Sequence, residues 1–146
     1  MIDPQWIGHE LAPSVLPIER TRLQFFAKAT GQTDPVYRDP VAARAAGYAD
    51  LPAPPTFLFA ADYDSGAFYQ LFSDMKVPLG QLLHAEQGFT YHRVACVGDT
   101  VTVRTRVDDI YAKKAGALEF VRLASRATDQ HGQLVAEWRT VLVWRH

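Results

Sequence analysis

Two periodicities divide this chain. Up to about residue 80, apolar residues recur at helical spacing or gather in short runs between prolines and glycines. From Leu82 onward they alternate with polar residues at every second position, which is the pattern of half-buried strands. In the first half, Ile18, Phe25, Phe26 and Ala29 among Glu19, Arg20, Arg22, Gln24 and Lys28 predict an amphipathic helix from Ile18 to Thr30, ended by Gly31. Asp39-Pro40 reads as an N-cap followed by proline at the first helical position, and Gly47 closes the short alanine-rich helix they begin. Leu51-Pro52-Ala53-Pro54-Pro55 is an extended connector, because each proline disfavours helix at the residue before it. A third segment starts at Thr56. Phe57 to Ala61 and Ala67 to Phe72 are apolar around the whole circumference and predict a buried central helix interrupted near Gly66.

In the second half, Val101, Val103 and Val107 alternate with Thr102, Arg104 and Arg106, and Val121, Leu123 and Ala127 with Arg122, Ala124 and Arg126. Ala136, Trp138, Leu142 and Trp144 repeat the pattern. Asp129-Gln130-His131-Gly132 marks a hairpin turn and Ala115-Gly116 a weaker one. Helices first and strands afterwards predict an α+β fold with an antiparallel sheet rather than alternating βαβ units. A buried helix wrapped by a meandering sheet is the hot-dog arrangement.

Composition narrows the function classes. The 146 residues, 48% hydrophobic and 21% charged, suit one globular domain over residues 1–146 with one core. A net charge of −1, with Lys and Arg scattered, provides no footprint for nucleic acid or an anionic membrane. Cys96 is the only cysteine, which excludes an internal disulfide and a cysteine metal site. No run reaches the ~20 apolar residues of a membrane span and no signal segment opens the chain, so a cytoplasmic location is expected.

Candidate chemistry concentrates in Thr30-Gly31-Gln32-Thr33-Asp34-Pro35-Val36-Tyr37-Arg38-Asp39. This stretch resembles the catalytic loop of the MaoC-like (R)-specific enoyl-thioester hydratases and dehydratases, roughly Ser-Gly-Asp-x-Asn-Pro-Leu-His-x-Asp. Gly31, Pro35, Val36 and Asp39 match it, while Gln32 stands where that family has its catalytic Asp and Tyr37 where it has its His. Gly47-Tyr48-Ala49-Asp50-Leu51-Pro52-Ala53-Pro54-Pro55-Thr56-Phe57 is similar to the entry of the central helix in the branch of N-terminal FAS1-like dehydratase domains. His84-Ala85-Glu86-Gln87-Gly88-Phe89-Thr90-Tyr91-His92-Arg93 and Val97-Gly98-Asp99 resemble that branch's strand motif and turn. The resemblance covers most of the chain. It implies a hot-dog fold of the thioesterase/thiol ester dehydrase-isomerase type and an acyl-coenzyme A or acyl-carrier-protein thioester as ligand, without metal or cofactor. It also implies a homodimer, or a heterodimer with a catalytic hot-dog subunit, the arrangement of the mycobacterial dehydratase heterodimers.

Removing water from a 3-hydroxyacyl thioester requires a base at C2, an acid for the departing hydroxyl, and donors for the thioester oxygen. A Gln32 amide is not a usable base, and a Tyr37 phenol, with an ordinary pKa of ~10, is a poor proton shuttle. The remaining candidates are Asp34, which otherwise makes an Asx-type turn, and His92, which strand parity puts on one face with His84 and Glu86. A metal held by those three would be splayed by their spacing. Pro55 lacks an N–H, so an oxyanion donor would come from Thr56 or Phe57. Phe57, Phe59, Phe68, Tyr69 and Phe72 are either core or the lining of an acyl tunnel. Three functions stay open: a dehydratase or hydratase subunit lacking its own dyad, a self-sufficient hydratase or thioesterase using Asp34 or His92, and a non-catalytic acyl-thioester binding or scaffolding module.

Overall fold

A computed structural model of the chain describes residues 1–145. Strand β1 (Ser14–Pro17) is followed by α1 (Arg20–Ala29), α2 (Pro40–Ala45), α3 (Ala60–Asp64) and α4 (Ala67–Asp74). Then come β2 (Leu82–Tyr91), β3 (Thr100–Lys113), β4 (Leu118–Thr128) and β5 (Leu134–Arg145). The strands form one curled antiparallel sheet in the order β1-β3-β4-β5-β2, the hot-dog fold that the sequence predicts. Among the described residues no helix is long and apolar enough to cross a membrane.

The central helix is made of two pieces. A 3-10 turn at Phe57–Phe59 leads into α3, and Gly66 at φ 74° breaks the path before α4. A positive φ of this kind favours glycine, which explains why the apolar run is interrupted there. Asp39 caps α2 by accepting from the Val41 N–H at 2.9 Å, as its place before Pro40 predicts. The strand alternation also appears as predicted, with Val101, Val103, Val107, Val121, Leu123 and Ala127 all buried. The Asp129 to Gly132 turn joins β4 to β5 through an Asp129 N–H bond to the Gln133 carbonyl.

Three details differ from the sequence reading. Helix α1 begins at Arg20 and buries Leu23 and Ala27, an i, i+4 stripe. Phe25 points away from that stripe and is 73% exposed, while Ile18 is buried before the helix starts. Strand β1 has no signature of its own in the sequence: it is four residues long and pairs only with β3, from Ser14↔Val103 to Pro17↔Thr100. Its Pro17 is tolerated because the strand lies at the sheet edge.

The third difference changes the candidate site. In β2, His84 pairs with Leu142 but Glu86 pairs with Val141, so Ala85 is an extra residue and the strand carries a β-bulge. One inserted residue reverses side-chain parity. His84 therefore shares the helix-facing side with Gln87, Phe89 and Tyr91, its ring 5.4 Å from Phe59. Glu86 and His92 lie on the opposite face. His84 is thus parted from the two residues that parity alone puts beside it, and among the described residues no group of three His, Cys, Asp or Glu side chains could hold a metal ion.

Between helix and sheet the apolar core forms two clusters. One contains Leu16, Leu23, Leu51, Phe57, Leu58, Ala61 and Trp138. The other contains Phe68, Leu71, Phe72, Val107, Leu123 and Leu142. At the boundary runs a belt of buried polar side chains. Thr105 Oγ1 donates to Asp62 Oδ1 at 2.8 Å and lies 2.8 Å from Ser125 Oγ. Beside them Ser14 Oγ donates to Ser65 Oγ at 2.8 Å. All but Ser65 are only 4% exposed. Every member of the belt has a partner, as polar groups in a dry interior require.

Candidate functional site

The loop between α1 and α2 is built by its own polar side chains. Gly31, at φ 70°, ends α1 in a conformation that glycine adopts without strain. Gln32 Oε1 accepts from the Asp34 N–H at 3.1 Å, and Asp34 Oδ1 accepts from the Val36 N–H at 3.0 Å. Asp34 thereby caps the 3-10 turn Pro35–Tyr37. The side chains of Gln32, Asp34 and Asp39 all serve to tie down the backbone. The turn projects Tyr37 toward a cleft between the Pro52–Pro55 connector and the segment after β2.

The cleft has a volume of about 260 Å³, and Tyr37, Tyr48, Pro55, Leu58, Tyr91 and His92 are among its walls. Burial pushes the Tyr37 phenol above its ordinary pKa, and Tyr48, Asp34 and Tyr91 around it add to the rise. At neutral pH Tyr37 is a neutral phenol and not a base. Of the residues singled out from the sequence, the structure brings Tyr37, Pro55 and His92 to this cleft, while the side chains of Gln32 and Asp34 stay in their loop.

Next to Pro55, Thr56 adopts φ 73°, a left-handed conformation rare for a β-branched residue. Its N–H donates to the Tyr91 hydroxyl at 2.7 Å. The Phe57 N–H is taken by the Pro54 carbonyl at 3.1 Å. Of the two backbone donors, Thr56 thus has a displaceable side-chain partner and Phe57 a fixed backbone one. Tyr91 lies flat against Phe89, rings 5.5 Å apart and inclined by 7°. His92, at the rim on the other face, holds Glu137 Oε2 at 3.1 Å through Nε2. The aromatic residues of the central helix separate by burial: Phe57, Phe68 and Phe72 are core, whereas Tyr69 is 46% exposed.

Tyr48 and Tyr91 are two polar residues of the cleft to which the sequence alone assigns no role. The signal for Tyr91 is present in the strand pattern. It stands two residues beyond Phe89 and four beyond Gln87, so all three share the helix-facing side past the bulge. Tyr48 has no such signal, because its place depends on how the α2 turn packs.

Residues 5–138 match the model of the FAS1-like dehydratase domain region. A UPF0336 protein of Streptomyces avermitilis is 33% identical over 99% of this chain and 95% of its own length. A second, from Saccharopolyspora erythraea, is also 33% identical, over 99% of this chain and 92% of its own. Among solved structures, a MaoC-like dehydratase superposes with a TM-score of 0.84 at 23% identity over 96% of this chain, which spans 42% of that longer protein. The HadBC (3R)-hydroxyacyl-ACP dehydratase complex of Mycobacterium tuberculosis has a chain with a TM-score of 0.78 at 24% identity, covering 94% of this chain and 96% of that one. The (R)-hydratase PhaJ1 of Pseudomonas aeruginosa gives 0.72 at 21%, over 96% and 82%.

Proposed function

The chain belongs to the FAS1-like dehydratase domain family of MaoC-like hot-dog proteins, and from that premise we propose that it is the acyl-thioester-binding subunit of a 3-hydroxyacyl-thioester dehydratase or (R)-enoyl-thioester hydratase, with a partner hot-dog chain supplying the Asp and His. The observation that carries this reading is the use of the loop's polar groups. Gln32 and Asp34 are engaged in capping their own backbone, and Tyr37 is a phenol, protonated at neutral pH, whose pKa burial pushes further above its ordinary value. None of the three is a free base beside the cleft. What the chain supplies is binding: an apolar-walled cleft, tyrosine hydroxyls, and the Thr56 N–H, which a thioester oxygen can take over from Tyr91. The thioester is carried on coenzyme A or on an acyl-carrier protein. The partner docks as a second hot-dog chain, and strand β2, which ends the sheet, supports a dimer through its free edge.

The test is hydration of crotonyl-coenzyme A, followed as loss of enoyl-thioester absorbance. The purified chain alone is expected to show no turnover above background, and activity is expected when it is combined with a dyad-bearing hot-dog chain. Robust turnover by the chain alone that survives Gln32→Ala and Tyr37→Phe would sink the proposal.

A second reading, a self-sufficient hydratase or thioesterase, draws support from the pair of His92 and Glu137, since a carboxylate can orient an imidazole for proton transfer. His92→Ala abolishing a measurable turnover of the chain alone would favour it.

A further inference from the structure

We infer that the buried belt of Asp62, Thr105 and Ser125 limits the ligand to short acyl chains, which reach past Leu58 by only a few methylenes; the inference rests on the acyl-thioester reading above. The first observation is size. At about 260 Å³ the cleft lies below the ~300–1,000 Å³ usual for small-molecule sites, so a long acyl tail overfills it and is sheltered from water only if it enters the core behind it. Leu58, one of the cleft's walls, is 3% exposed and part of the same apolar cluster as Ala61 and Trp138.

The second observation is what stands behind that wall. Asp62 follows Leu58 by one helical turn, roughly 6 Å along the axis. Its carboxylate is held by Thr105, which in turn holds Ser125, and the Ser14–Ser65 pair continues the polar boundary toward β1. The Trp138 indole N–H lies near enough to the Asp62 carboxylate to oppose the rise in its pKa, although the two lack hydrogen-bond geometry. The apolar cluster around Phe68, Leu71 and Phe72 begins beyond the belt.

Magnitudes decide whether a tail can cross. Each methylene moved from water into the core contributes about 0.8 kcal/mol. Parting buried polar groups costs, for each one left unsatisfied, roughly what one to four methylenes gain, and more for a carboxylate. Breaking the Asp62, Thr105 and Ser125 chain leaves several such groups, a cost that outweighs the next few methylenes. Growth of the acyl chain is therefore favourable up to the belt and unrewarded beyond it.

The test is calorimetric binding of saturated acyl-coenzyme A probes, from acetyl to dodecanoyl, to the full chain. Affinity is expected to rise by about fourfold per methylene at first and to stop rising by octanoyl. A variant carrying Asp62→Ala, Thr105→Val and Ser125→Ala together removes every hydroxyl and carboxylate of that chain, so none is orphaned. Its affinity is expected to go on rising beyond octanoyl, with folding checked by its thermal transition. Affinity that climbs steadily to dodecanoyl in the wild type overturns the inference, as does a folded triple variant with the wild-type break. Absence of binding at every length, in folded protein, instead overturns the acyl-thioester reading and the inference with it.

Discussion

Asp34 and Asp62 are the same side chain in two settings. Asp34 lies in a motif-like loop, is exposed, and uses its carboxylate to cap a 3-10 turn. Asp62 belongs to no motif, is 4% exposed, and is held by a threonine hydroxyl in the middle of the core. Burial pushes the Asp62 carboxyl above the ordinary carboxylate range, opposed by Thr105, Trp138 and Ser125. The contrast teaches that resemblance finds the loop, while perturbed chemistry follows desolvation. Side chains of a motif-like loop can be engaged in capping their own backbone, and a core position can carry the more unusual group.

The largest effect is expected from Thr105→Val. It keeps the shape and removes the donor that holds Asp62, and should cost about 2–3 kcal/mol in urea unfolding. A loss below about 0.5 kcal/mol would mean that the belt contributes nothing to stability and would erase the contrast with the loop. Asp62→Asn sharpens it through pH. The folded carboxyl binds its proton more tightly than the unfolded one, so wild-type stability is fully present below the ordinary pKa of ~3.9 and declines as pH rises through the raised folded value. The amide does not titrate. Urea midpoints of the two proteins should therefore diverge from pH 4 upward, with the Asn variant gaining on the wild type.

In the loop, Asp34→Ala removes a cap and is expected to cost about 1 kcal/mol, with Asp34→Asn recovering most of it. The smallest effect is expected from Tyr37→Phe, under about 0.5 kcal/mol in stability. The same variant should remove one of the late-titrating phenols from the alkaline absorbance titration, because burial raises the Tyr37 pKa above its ordinary value. A normal titration at that position would show that the cleft leaves Tyr37 solvated.

Much of the fold is legible in the chain because its signals are local. The Val101, Val103 and Val107 alternation, the Asp39-Pro40 cap and the Gly66 break each depend on a few neighbouring residues. Strand β1 is not legible, since four residues ending in proline become a strand only by pairing with β3. The stripe of α1 is misread for a similar reason. Phe25 looks like a core residue until the start at Arg20 puts Leu23 and Ala27 inward.

By itself the sequence determined the fold class and the family, because residue identity and short-range spacing carry both. Tertiary structure alone decided where the remaining candidates point. The Ala85 bulge separates His84 from His92, since one unpaired residue inverts every side chain beyond it and leaves no mark in the alternation. The meeting of Asp62 with Thr105 and Ser125 is equally invisible along the chain. It joins residues 43 and 20 positions apart, and only packing the helix on the sheet brings them within hydrogen-bond reach and out of water.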